Sequence, residues 1–391
     1  MPFIPALLLN FGHALDHLFL LIFATAVSAI AADFGMTRWE DMMPYTVGAF
    51  LMFGLGSIPA GRLGDLWGRK QMMLVFFFGI GLASVAVSFT QTPIQMAAAL
   101  TVLGVFSAIY HPVGIPLLVQ KSSRPGLTIG VNGLAGNLGI AAAALLTGFF
   151  VSWQGWRSAF VIPGLFALAC GFAFAWFAPN DSESPAKKRS SALQLPKHLA
   201  WRTFIVMVAT ATTSSVLFNI TTNGNAQLLA ERLDGLVNDP SRLGLLLSAV
   251  YAVASLAQLV VGRLLDWLPI KPLFFGILLM QIVMFGLASQ SSGWFWYASA
   301  IGYMVMVFGA IPFGDTMVVR YIDDSMRSRV SGTRIAISFG ISSMAVFALG
   351  PVVKVAGFTQ LMMALTGVAA LGALIVLFLP NEGQMKPYQT N

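Results

Sequence analysis

Charge and cysteine are what this chain has least of. Only 9% of its 391 residues are Asp, Glu, Lys or Arg, against about 25% in a soluble domain. That shortage, with 57% hydrophobic residues and a mean hydropathy of +0.79, excludes a water-soluble globular fold. The one cysteine, Cys170, excludes an intrachain disulfide and any Cys-rich metal or iron–sulfur centre. A Gly-x-Ser-x-Gly elbow, a His-Glu-x-x-His pair and a phosphate loop are all missing, so neither a hydrolase nor an ATP-driven pump is indicated. The opening MPFIPALLLN has no basic n-region and no small-residue cleavage site, so an uncleaved first span is expected rather than a signal peptide.

What the chain does have is long apolar runs. A spanning helix needs about 20 mostly apolar residues. Twelve such runs are present, at about 4–30, 44–60, 72–89, 93–118, 128–151, 158–177, 203–229, 243–261, 272–290, 294–318, 331–353 and 358–379. They lack the alternation of strands, so helices are predicted. Twelve spans put both termini on one side, which then receives 17 of the 22 Lys and Arg residues. Only Arg38, Arg157, Arg232, Arg242 and Lys354 fall on the other. The positive-inside rule makes the termini cytoplasmic. The net charge of +7 follows from this topology, and no nucleic-acid partner is implied. A Ser-, Pro- and Lys/Arg-rich stretch, 178–202, separates residues 1–177 from 203–391 and reads as a cytoplasmic linker between two six-helix bundles.

The halves carry a repeat. GRLGDLWGRK (61–70) follows span 2, and GRLLDWLPIK (262–271) follows span 8, an offset of 201 residues. Pro112 and Pro312, and Gly139 and Gly340, recur at nearly that offset. Internal symmetry of this kind is common in secondary transporters.

GRLGDLWGRK resembles the signature loop between helices 2 and 3 of the major facilitator superfamily, with Leu66 where a basic residue is common. The degenerate second copy and GWRSAF (155–160) opening span 6 are similar to the family as well. The resemblance implies an all-α polytopic membrane protein of 12 transmembrane helices in two pseudo-symmetric six-helix bundles. It implies transport by alternating access, with Gly61, Arg62, Asp65, Gly68, Arg69, Arg263 and Asp266 closing the cytoplasmic side. Asp65 is expected to meet the positive N-terminus of helix 11. Within the superfamily, HALDH (13–17), GVFSAIYHPVGIP (104–116) and GLTIGVNGLAGNLG (126–139) are locally similar to the fosmidomycin-resistance type of drug exporter.

The resemblance also places helices 1, 4, 7 and 10 around a central cavity. The unusual polar residues fall on those four spans: Asn10, His13, Asp16 and His17; Tyr110 and His111; Asn219 and Asn223; Tyr303 and Asp315. Spans 3, 6, 9 and 12 are nearly pure Leu, Ala, Phe, Met and Gly, as lipid-facing helices should be. Ionisable groups in hydrocarbon are costly and mark functional pathways. At 100° per residue Asn10, His13 and His17 form one stripe with Asp16 beside it, near mid-membrane and expected to face water. Histidine titrates near neutrality, and an adjacent Asp tunes it. His13, Asp16, His17 and His111 are therefore the expected proton-coupling groups.

Pro112 is expected to kink helix 4 beside His111. Asn132 and Asn137 are expected to bond between helices. Substrate contacts are expected from Asn10, Tyr110, Asn219, Asn223, Tyr303, Asp315 and Arg334, with Asp315–Arg334 either a salt-bridged inner gate or an anion site. The leading expectation is a proton-coupled exporter of a small organic solute in the inner (cytoplasmic) membrane, acting as a monomer without a cofactor. Uptake or exchange of a polar metabolite or organic anion stays open. So does a divalent-metal carrier using His13, Asp16 and His17.

Overall fold

The computed structural model describes residues 2–120, 122, 125–179, 197–321 and 324–380, with backbone alone at 125–126, 197–200, 319–321, 324–329 and 331. The apolar runs are helices: α1 (Phe3–Asp33), α2 (Val47–Trp67), α3 (Arg69–Val87), α4 (Pro93–Ser107, continued to Val119), α5 (Pro125–Gln154) and α6 (Trp156–Phe177). The second series is α7 (Lys197–Arg232), α8 (Pro240–Trp267), α9 (Ile270–Gln290) and α10 (Gly293–Tyr321). A last helix, Asp324–Val376, passes through Gly357 at φ 79°. That left-handed conformation is cheap only for glycine and bends the chain. The bend divides the helix into α11 (324–356) and α12 (358–376). Eleven described helices are long and apolar enough to cross a membrane. With the last one divided at Gly357, they are the twelve expected spans. α7 begins at Lys197, inside the stretch read as linker, so that linker is shorter than 178–202.

Lipid tails give helices no hydrophobic reason to associate, so close packing has to hold them. Glycines supply it here. A Cβ on Gly139 of α5 would lie 2.1 Å from the Ala14 carbonyl of α1, and one on Gly104 of α4 would lie 2.2 Å from the Ala49 carbonyl of α2. A Cβ on Gly164 of α6 would lie 3.0 Å from the Gly81 carbonyl of α3. The first half thus pairs α1 with α5, α2 with α4 and α3 with α6; the second repeats the scheme as α7 with α11, α8 with α10 and α9 with α12. We expect Gly104→Val to lose about 3 kcal/mol, the upper end for overpacking, because the obstacle is backbone. Thermal unfolding in detergent measures it; an unchanged melting temperature would contradict this packing.

The halves meet through α5–α8 and α2–α11. Many of the described contacts between them lie at the end opposite the linker. Ser152 and Ser241 hydroxyls are 2.5 Å apart, Ser28 donates to Gln227 at 2.7 Å, and Lys354 reaches Asp41 at 2.5 Å. Trp39 stacks on Phe358. α5 and α8 cross glycine to glycine, at Gly148 and Gly244. Closer to mid-helix, Phe53 of α2 packs on Phe339 of α11.

The signature loop is built from its glycines. Gly68 turns the chain at φ 101° between α2 and α3. Cβ atoms on Gly61 and Gly64 would meet Pro112 and Val113 of α4 at 3.3 and 2.9 Å. The second copy turns at Leu268–Pro269 without a left-handed residue. Asp65, Arg62, Asp266 and Arg263 are exposed at their helix ends. The side chains that open α11, the expected partners of Asp65, lie outside the described residues. GWRSAF acts at the opposite end. Arg157 pairs with Asp33 at 2.6 Å, bonds the Thr90 carbonyl, and lies over the Trp156 ring.

Candidate functional site

α1 and α4 bring three histidines and a carboxylate to one place. α4 makes this possible by leaving regular geometry. Pro112 has no N–H to donate, and residues Tyr110–Gly114 form a single π-helical turn. Such widened turns frequently occur at functional sites. This one turns Tyr110 and His111 toward α1. Tyr110 stacks on His13, with ring centroids 4.8 Å apart, and donates its hydroxyl to the Leu9 carbonyl at 2.7 Å. The His111 ring stands edge-on to both histidines of α1, 5.0 Å from His13 and 5.6 Å from His17. Phe53 of α2 meets it from the far side.

His13 is fixed at both nitrogens. Its Nδ1 lies 2.7 Å from the Asn132 carbonyl of α5. A carbonyl only accepts, so Nδ1 carries the proton and Nε2 is left with a lone pair. His17 Nε2 lies 3.2 Å from that atom. Gly136 of α5 is the platform under the ring, since a Cβ there would come within 2.7 Å of it. Asn132 is the joint, donating its side-chain amide to Asn10 at 2.9 Å and to the Tyr110 hydroxyl at 2.8 Å. It bonds between helices as expected. Asn137 is buried, and its amide nitrogen has no hydrogen-bond partner.

Asp16 departs from expectation. It was expected to face water, but its exposure is 0%. The residue beside the His stripe points into the α1–α4 packing, toward Ser107 and His111. His111 Nε2 is 3.6 Å from Oδ2, beyond hydrogen-bond length, and neither carboxylate oxygen has a hydrogen-bond partner. A buried carboxylate without hydrogen bonds is costly when it is charged. His111, its neighbour, is 30% exposed.

The expected substrate contacts divide. Asn10 is half-buried beside the histidines. Tyr110, Asn219, Asn223 and Tyr303 are each buried inside their own half. Asn219 bonds Ser215 and Ser342, Asn223 bonds the Asn219 carbonyl, and Tyr303 donates to Asn225 at 2.8 Å. Asp315 and Arg334 do form a salt bridge, at 2.6 Å. Both belong to the second half, on α10 and α11, so the pair cannot by itself be a gate between halves. Arg334 is 9% exposed and Asp315 75%, so the acidic partner faces the open space. The interface between halves lies beside the histidines, where Phe53 packs on both His111 and Phe339. Phe53 and Phe339, which meet there, were not picked out in the sequence; a phenylalanine among 31 carries no signal.

Two bundles related by a repeat, with ionisable groups buried inside one of them, define a polytopic membrane protein of the carrier type. The profile of the Major Facilitator Superfamily matches residues 9–230, more than half of the chain, and the chain belongs to that family. Among curated relatives, a probable actinorhodin transporter of Streptomyces coelicolor is 33% identical over 35% of this chain and 25% of its own length. A gallate transporter of Pseudomonas putida is 24% identical over 44% and 38%. A tetracenomycin C resistance and export protein of Streptomyces glaucescens is 30% identical over 38% and 29%. The chain thus matches a quarter to about two-fifths of the length of these relatives. A D-xylose–proton symporter has the same fold, with a TM-score of 0.79 at 15% identity over 98% of this chain and 99% of that one.

Proposed function

We propose that this protein is a secondary transporter that moves a small organic solute by alternating access, driven by protons and running outward. The observation that carries the reading is Asp16, a carboxylate with 0% exposure and no hydrogen-bond partner at either oxygen, 3.6 Å from His111. A proton entering through His111 and lodging on Asp16 would remove a buried charge, and its departure would restore one. That makes helix packing around α1 and α4 sensitive to protonation. On this reading the linker end is cytoplasmic in the inner membrane, and the end closed by Ser152–Ser241 is the outer one. Residues 1–177 and 203–391 are the moving bundles. The single chain is the working unit.

A relative named for resistance to and export of tetracenomycin C, and one named as a probable actinorhodin transporter, favour efflux of an organic compound. The relative named for gallate favours a second reading, exchange or uptake of an aromatic acid, with Arg334 and protonated histidines as its partners.

The test is direct. Purified protein is screened for thermal stabilisation by tetracenomycin C, actinorhodin and gallate at two pH values. A ligand at 100 times its Kd adds about 2.7 kcal/mol. Hits are then assayed in liposomes carrying an internal pH dye. Solute-dependent proton movement opposite to the solute is expected. Flux without proton movement would overturn the coupling, and co-movement of protons with gallate would favour the second reading.

Gating separates from binding in the same assay. Asp65→Asn is expected to slow exchange about tenfold while leaving the ligand concentration at half-stabilisation within about twofold, because it alters a contact of one state and not the binding site. A selective loss of affinity would contradict a gating role.

A further inference from the structure

We propose that His13, His17 and His111 form a site for a divalent transition metal of the zinc type. Each can offer one imidazole nitrogen, and these nitrogens lie within 4.8 Å of one another. The three rings come from two helices and converge from different directions, His111 nearly perpendicular to the other two.

The details match what such a metal requires. Imidazole nitrogens bound to zinc at 2.0–2.1 Å in a tetrahedron are about 3.3 Å apart. His13 Nε2 and His17 Nε2 are 3.2 Å apart. A ligating histidine commonly gives its second N–H to a carbonyl or carboxylate, which fixes the tautomer and makes the ligand more basic. His13 does this through Nδ1 to the Asn132 carbonyl. His111 Nε2 stands 3.6 Å from Asp16 Oδ2, beyond hydrogen-bond length, so a His111 that ligates through Nδ1 would need to close on the carboxylate to gain the same support. The carboxylate supplies the independent observation: it is wholly buried beside the cluster, and neither oxygen has a hydrogen-bond partner. A divalent ion held by the neighbouring His111 is a charge that would satisfy it. Asp16 itself is not one of the three convergent ligands, so the set differs from the His13–Asp16–His17 alternative read from spacing; the π-turn brings His111 in its stead. His17 and His111 are partly exposed, which leaves a way in and a fourth position for water.

Metal ligation requires neutral imidazoles, so binding releases protons and weakens in acid. The charged or titratable groups facing the site are Asp16 on α1, Tyr110 on α4 and Asp315 on α10; α5 presents only Asn132 and Gly136. Metal and protons would therefore compete for one set of side chains, and zinc would inhibit a transporter that uses them for protons. The metal site does not depend on that transport reading.

The test uses the full chain in detergent, with any affinity tag removed, titrated with Co²⁺ and then Zn²⁺. We expect one equivalent of Co²⁺ to bind with the ligand-field spectrum of a tetrahedral nitrogen site, displaced by Zn²⁺. His17→Gln and His13→Gln should each weaken binding at least about tenfold, and His198→Ala should not. X-ray absorption on the Zn²⁺-loaded unaltered chain counts the imidazoles, so the result stands even if a variant fails to fold. Three imidazoles support the site. No saturable binding, or a metal held by oxygen ligands with the His17→Gln affinity unchanged, overturns it. Loss of proton coupling with Co²⁺ binding intact would remove the transport reading alone.

Discussion

Asp16→Asn is expected to reduce proton-driven uphill transport to the level of empty liposomes while solute exchange continues. Asparagine keeps the shape of the side chain and cannot exchange a proton. The residue has 0% exposure and its partly exposed neighbour is His111, so on the proposed reading water does not take over the role. Exchange needs only the loaded protein to change state. The substitution there costs a neutral interaction of about 1 kcal/mol, a factor of about five in rate. Paired measurements in one liposome preparation, uphill accumulation under a pH gradient and counterflow at equal pH, separate the two. Uphill transport at the unaltered rate would remove Asp16 from the coupling. Loss of both activities with an unchanged melting temperature would make Asp16 part of the conformational change itself.

The fold was legible in the sequence because a bilayer leaves few choices. Backbone groups without water must bond within the helix, so apolar length alone marks each span. The twelve runs are the observed helices, and the one ambiguity arises where Gly357 bends a continuous helix instead of a polar loop interrupting it. The first copy of the signature was legible too: Gly64 is held by close contact with α4 and Gly68 by its φ of 101°, whereas Gly262 of the second copy meets no such neighbour, in keeping with its degeneracy. Of the candidate site, the residue types and the two helices could be read, but not the directions in which they point. A stripe at 100° per residue put Asp16 beside His13, but only the packing of α4 decides that it faces Ser107 and His111 rather than water. The π-turn after Ser107 shifts the register of everything beyond it, so His111 could not be placed by counting. Asn219 and Tyr303 show a further limit. Polar residues on spans expected to line a cavity also bond between helices, Asn219 to Ser342 and Tyr303 to Asn225, and periodicity cannot distinguish the two uses.

Joining Ser152→Cys to Ser241→Cys is expected to stop transport completely and reversibly. The two hydroxyls are 2.5 Å apart, and a disulfide needs its sulfurs about 2.05 Å apart, so oxidation asks for little movement. The bond would tie α5 to α8, and hence one half to the other, at the end opposite the linker. The helices are closest there: a Cβ on Gly148 would lie 2.5 Å from the Pro240 carbonyl, and one on Gly244 would lie 2.5 Å from the Ala144 carbonyl. Alternating access requires this contact to open once per cycle. A covalent tie holds the state in which it is closed, and thermal fluctuation cannot supply the free energy to break it. The background is simple because the one native cysteine, Cys170, is buried on α6 and is replaced by serine beforehand. Cross-linking is followed by mass and by loss of free thiol, and transport before oxidation, after it and after reduction. Ligand stabilisation should persist in the oxidised protein if the site stays open toward the linker end. Full cross-linking with transport unimpaired would mean that the halves do not separate here, and the rocking of two bundles would have to be abandoned as the mechanism.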